Sequence, residues 1–147
     1  MRDFSQLLRD KTNKISQHWI EAVAHDRQIQ SARTLERSAI EDHIDKVLEA
    51  MATALSQVET SDINAIVSAS IVHGVLRANQ GFDPTEIAQE YHLLRRTILE
   101  VIQQDLLVGT PEEVFRAITV IDSVVDAAIS QCFKSYVSER LHELEQV

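Results

Sequence analysis

The chain reads as an all-α protein, with about five helices in a globin-like or bundle arrangement and a long last helix leading into a coiled coil. Three observations carry that expectation. Apolar residues recur every three or four positions along most of the length, the period of a helix with one buried stripe. The 147 residues include only three glycines and two prolines, too few for the turns of a sandwich or a loop-rich fold. Four of these five breakers fall in two groups, Gly81 with Pro84 and Gly109 with Pro111. Glycine just past one helix and proline at the first position of the next is the usual grammar of a helix-to-helix turn.

The first helix is predicted from about Asp3 to Ala24, with Phe4, Leu7, Leu8, Ile15, Trp19, Ala22 and Val23 as its stripe and His18 on the same side. The polar stretch His25–Thr34 has no regular period and reads as a loop. A second helix follows from about Leu35 to Gln57. Its apolar face is Ile40, Ile44, Val47, Leu48, Met51, Leu55 and Val58, and its solvated face carries Glu36, Lys46 and Glu49. Thr60, Ser61 and Asp62 offer N-cap oxygens.

The third helix, about Asp62 to Gln80, sets Ile63, Val67 and Ile71 beside Ser70, Gly74 and Ala78, three small residues spaced by four. A glycine in a helix interior costs about 1 kcal/mol against alanine, so a close backbone contact at Gly74 is the expected compensation. Gly81 fits a helix C-cap, and Asp83-Pro84-Thr85-Glu86 restarts a helix with an N-cap, a first-position proline and an acid in the first turn. This fourth helix, about Pro84 to Leu107, packs Ile87, Tyr91, Leu94, Ile98, Val101 and Ile102.

Thr110 caps the fifth helix, which runs from Pro111 almost to the end, with Glu112 and Glu113 favouring its dipole. Its first half is apolar over a wide arc from Val114 and Phe115 through Ile118, Val120, Ile121, Val124, Val125, Ala128 and Ile129 to Phe133. Its second half narrows to Val137, Leu141 and Leu144, the onset of a heptad seam. Residues 1–136 therefore read as one helical domain and 137–147 as the start of a signalling helix, in a piece of a longer protein.

Charge and cysteine content narrow the function. Fourteen basic against twenty-three acidic residues give a formal charge of −9, which argues against nonspecific nucleic-acid binding and against docking on anionic lipid. No run of eighteen apolar residues exists, so no membrane insertion is expected. The N-terminal residues lack the apolar core of a signal peptide, so a cytoplasmic location is expected. The single cysteine, Cys132, sits among apolar residues and reads as a small core side chain.

The residues that could carry chemistry lie between His73 and Arg95. On a helical wheel Arg77 falls among Ile66, Ser70 and Gly74, inside the packing face, with His73 at its edge. An arginine cannot lose its proton to escape burial, so it needs an anionic partner. Glu90, at similar height across an antiparallel turn, is the expected partner, and Glu86, one turn nearer the loop, competes. Two readings stay open. His73, Arg77 and Glu90 form an internal polar lock; or Arg77 and His73, with Tyr91 or Arg95, line a pocket for a small anion.

Six histidines raise the question of haem or metal, with His73 and His18 best placed for an axial ligand. No HExxH or HxxxH pair occurs, and a hydrogen-bonded core histidine is far more common, so neither metal nor cofactor is expected. His73 and His92 lack the surroundings of a phosphoacceptor. No GxSxG, phosphate loop or Cys/His signature appears, so no catalytic residue is assigned and the chain is not expected to be an enzyme. Asp122 and Asp126 read as a boundary pair neutralised by Arg95 or another basic residue.

The order Trp19, then His73-x-x-x-Arg77-x-x-x-Gly81, then Glu90-Tyr91-x-x-Leu94-Arg95 resembles the RsbRD N-terminal domain family. Such domains stand at the N-terminus of bacterial sensor histidine kinases and of stressosome co-antagonists. The resemblance implies an all-helical sensory domain related to globin-like non-haem sensors, usually a homodimer, followed by a kinase or STAS output domain. It names no binding residues.

Overall fold

The computed structural model describes residues 3–41, 44–56 and 63–146, and of residues 50, 54, 56 and 63–69 the backbone alone. The fold is all-α, without a strand among the described residues. Its helices are α1 (Phe4–His25), α2 (Arg37–Glu41), α3 (Ile44–Ser56), α4 (Ile63–Asn79), α5 (Pro84–Val101), α6 (Gln103–Leu107) and α7 (Pro111–Glu145). The N-cap candidates Thr60 to Asp62, the face residue Val58, and the side chains of Ile63, Ile66 and Val67 lie outside the described residues.

Local chemistry explains most boundaries. Asp3 caps α1 by accepting from the Gln6 N–H. Asp83 and Glu86 form a reciprocal capping box on α5, and Thr110 and Glu113 form another on α7, each with proline in the first turn. At the end of α4, the Phe82 N–H donates to the Arg77 carbonyl and the Gly81 N–H to Ala78. This is the paired closure that needs a left-handed residue between, and Gly81 supplies it at φ +81°.

Five expectations are corrected. The predicted fourth helix breaks at Ile102 and resumes as the short α6. No glycine or proline marks that break; Ile102 stays fully buried, so core packing sets it. The polar loop after α1 holds a 3₁₀ turn, Gln30–Ala32, and buries Ile29 and Ala32 in the core. His18 is exposed rather than on the buried stripe, because Ile15, Trp19, Ile20 and Val23 fill the α1 contact surface. Phe115 and Ile71 are exposed too. Phe115 stands before the first buried residue of α7, Ala117, and Ile71 lies on the side of α4 away from the Ser70–Gly74 contact.

The tightest helix pair is α4 with α7, and α1 packs on α3 and α5 on the other side of the core. Gly74 is where α4 and α7 meet: a Cβ there would collide with the Cys132 carbonyl and the Ser135 hydroxyl. The small-residue row expected to admit another backbone is therefore filled by α7 of the same chain. Cys132 is buried in that contact.

Candidate functional site

Arg77, fully buried, projects from the last full turn of α4 toward α5 and α2. Its Nε donates to both carboxylate oxygens of Glu90 at 3.0 and 3.1 Å, and Nη2 donates to Glu90 Oε2 at 2.8 Å. The other Nη2 hydrogen goes to the Ile40 carbonyl at 2.8 Å, while Nη1 donates to the Ala39 carbonyl at 3.0 Å and to Gln80 Oε1 at 2.6 Å. A guanidinium has five N–H donors, and here each one has an acceptor. The Phe82 ring, turned back by the Gly81 closure, lies under the guanidinium carbon at 4.7 Å.

Glu90 is as fully engaged. His73 Nε2 stands 3.3 Å from its Oε1, and its main-chain carbonyl accepts from Trp19 Nε1 at 2.9 Å, which ties α1 to the same point. Burial pushes the Glu90 carboxyl up, but the charges and hydrogen bonds of His73 and Arg77 outweigh it and hold the group below the usual glutamate range. The Tyr91 ring meets the His73 ring edge-to-face, with centroids 5.8 Å apart. Burial, with smaller contributions from Cys132 and Glu90, raises the Tyr91 phenol well above its ordinary value.

Of the five residues expected at the site, His73, Arg77, Glu90 and Tyr91 come together. Arg95 does not. It points toward α7, where Nε lies 3.2 Å from Asp122 Oδ1 and Nη2 lies 3.2 Å from Asp126 Oδ1. Those are the two acids for which the sequence offers Arg95, or another basic residue, as the neutralising partner. Glu86, the competing partner for Arg77, accepts instead from the Ser31 N–H and hydroxyl and from the Asp83 N–H. A capping-box glutamate is claimed locally, which leaves Glu90 for the arginine.

Sequence reasoning missed several members of this centre, Gln80 among them. Phe82 carries a usable signal, because an apolar residue directly after the αL glycine commonly folds back on the helix it closes. Tyr136, whose hydroxyl donates to the Phe82 carbonyl, lies four residues past Cys132 on the buried side of α7. The α2 carbonyls that receive Arg77 have no signal in the residue types.

A cleft lined by Trp19, Ile44, Val47, His73, Glu90, Tyr91 and Leu94 opens beside the cluster, but its volume is about 10 Å³. That is room for about one water, against the roughly 300–1,000 Å³ of an organic-ligand pocket. The His73 Nε2, one of the two ring nitrogens a haem iron would use, faces Glu90. No group of three or more acids, histidines or cysteines with metal-site spacing occurs among the described residues.

Trp19, His73, Arg77, Glu90, Tyr91 and Leu94, scattered over α1, α4 and α5, thus converge on one buried centre, with Gly81 in the exposed turn just past α4. The family model of the RsbT co-antagonist protein rsbRD N-terminal domain matches residues 13–146. The chain belongs to that family. Membership in the rsbRD N-terminal domain family makes it a regulatory type of domain with protein partners. No described helix is long and apolar enough to cross a membrane. The chain has no significant match among curated proteins or among solved structures.

Proposed function

We propose that this rsbRD-type domain is a non-catalytic N-terminal sensory module of a bacterial signalling protein, of stressosome or sensor-kinase type. It works in the cytoplasm, without a bound cofactor, as a homodimer that passes its signal through α7 to a STAS or kinase output domain. The observation that carries this reading is the family match over residues 13–146. Residues 1–136 serve as the sensing body and 137–147 as the start of the signalling helix. The change from buried Tyr136 to exposed Val137 along an uninterrupted α7 supports that division.

The cluster of His73, Arg77, Glu90 and Tyr91 acts in this reading as a lock and not as a ligand pocket. Every Arg77 donor is already used inside the protein, so an incoming anion finds none without displacing Glu90 or the α2 carbonyls. From the lock a short contact path reaches α7: Arg77 rests on Phe82, the Phe82 carbonyl accepts from Tyr136, and Gly74 touches the Cys132 carbonyl. A signal that re-pairs Arg77 biases the seating of α7, which is the two-state element.

The test is made in the producing organism with the full-length protein. Strains carrying Arg77→Met or Tyr136→Phe are compared with the parent by a general-stress or kinase-output reporter, at matched protein level. The expected result is a shifted basal output and a changed response in both. An output that ignores both substitutions would falsify the sensory reading.

A further inference from the structure

We infer that the end of α7 pairs with the same segment of a second copy as a parallel, in-register two-stranded coiled coil, with Arg140 of one copy facing Glu145 of the other. The inference rests on the homodimer proposed above and adds its orientation, register and charge code. Val137, Leu141 and Leu144 are 52%, 55% and 68% exposed, an apolar row on a helix whose other side is already covered. On that covered side Tyr136 is buried, and the Asn79 amide, oriented to donate, reaches Glu139 Oε1 at 3.3 Å and Glu143 Oε1 at 2.9 Å.

Spacings of four and then three assign Val137, Leu141 and Leu144 to heptad positions d, a and d. Arg140 then falls at g and Glu145 at e, the two positions that flank the seam and choose its partner. In a parallel pair, g of one helix faces e of the next heptad on the other, five residues on, so Arg140 meets Glu145 twice per dimer. An antiparallel pair sets g beside g and e beside e, which removes the match and brings like charges together. Arg140 is available for the exchange, because its side chain is 50% exposed and its contact to Glu143 is long, at 3.6 Å. One heptad earlier the a position is Lys134, so the seam begins at Val137.

The test uses Val137→Cys and Leu144→Cys separately, since both sit at d, where a parallel pair brings equivalent Cα atoms within the roughly 4.4–6.8 Å that a disulfide spans. The buried Cys132 makes the parent its own control. Mild oxidation is expected to cross-link each variant to itself, with little cross-linking in the parent. Adding Arg140→Glu or Glu145→Arg should lower the cross-linked fraction several-fold, and combining the two should restore it. Cross-linking only between Leu141→Cys and one of the other two variants would mean an antiparallel pair and overturn the inference. A dimer by sedimentation in which neither variant cross-links to itself overturns it too, while leaving the dimeric reading intact. A monomer at micromolar concentration overturns both.

Discussion

Replacing Arg77 by methionine removes all six of its hydrogen bonds and leaves the Glu90 carboxylate buried with His73 as its remaining polar partner. Breaking a buried ion pair from one side costs about 3–5 kcal/mol. For a chain of this length each kcal/mol moves Tm by about 3 °C, so Arg77→Met should melt roughly 10–15 °C below the parent. Glu90→Leu also strands a charge, but Arg77 keeps the Ala39, Ile40 and Gln80 oxygens and the Phe82 ring, so the loss should be smaller. The double variant Arg77→Met/Glu90→Leu removes both charges and fills the space with apolar atoms. Such replacements are often neutral or stabilising, although here two α2 carbonyls lose donors at about 1 kcal/mol each. It should therefore be more stable than Arg77→Met alone, with a coupling energy of about 2 kcal/mol or more. Urea unfolding of the four proteins, followed by far-UV circular dichroism at neutral pH, measures the cycle. Strict additivity of the two single losses, or an Arg77→Met midpoint equal to that of the parent, would show that the pair is not a buried lock.

Four further outcomes follow from the same geometry. Glu90 has its folded-state pKa below its ordinary value of 4.5, so its stabilisation is present above that value and disappears as pH falls through the folded one. Urea midpoints measured from pH 6 down to pH 3 should fall more steeply for the parent than for Glu90→Gln, and parallel curves would contradict the shift. Gly74→Ala gains helix propensity but drives a Cβ into the Cys132 carbonyl, a backbone atom that cannot rotate away; a net loss of about 1–2 kcal/mol is expected, checked by thermal melting. Gly81→Ala meets open space and suffers only from φ +81°, so the same assay should show a loss of about 1–2 kcal/mol. Tyr136→Phe leaves the Phe82 carbonyl without its hydroxyl donor and should cost about 1–3 kcal/mol in urea unfolding, with little change in far-UV dichroism.

The sequence exposes the Arg77–Glu90 pairing because Arg77 stands on an apolar helical face, and a permanent charge in that position demands a partner at matching height. It exposes the two capped restarts, at Asp83 and at Thr110, because cap chemistry is local. What it hides is set at longer range. Glu86 and Glu90 lie close together on a wheel, and only the claim of nearby Asp83 and of distant Ser31 on Glu86 separates them. Arg95 lies within one turn of Tyr91 yet faces the opposite helix, since the α5–α7 crossing determines which way a boundary arginine turns. Ile102 breaks a helix without a breaker residue, and neither the α2 carbonyls nor the turning of Phe82 can be found by periodicity.

The 35-residue α7 is one continuous rod, about 52 Å long at 1.5 Å per residue. Its fulcrum is the crowded crossing at Gly74, where backbone meets backbone and sliding is blocked. From Cys132 to Leu144 is twelve residues, about 18 Å of lever arm. A tilt of about 10° at the crossing would swing Leu144 by about 3 Å over that arm. In the paired rod proposed above, that displacement would be enough to part the seam or to rotate one register against the other. If α7 carries the signal as proposed, its mechanical gain depends on one hydrogen-only side chain: a bulkier residue at position 74 would move the fulcrum, changing both the angle and the throw.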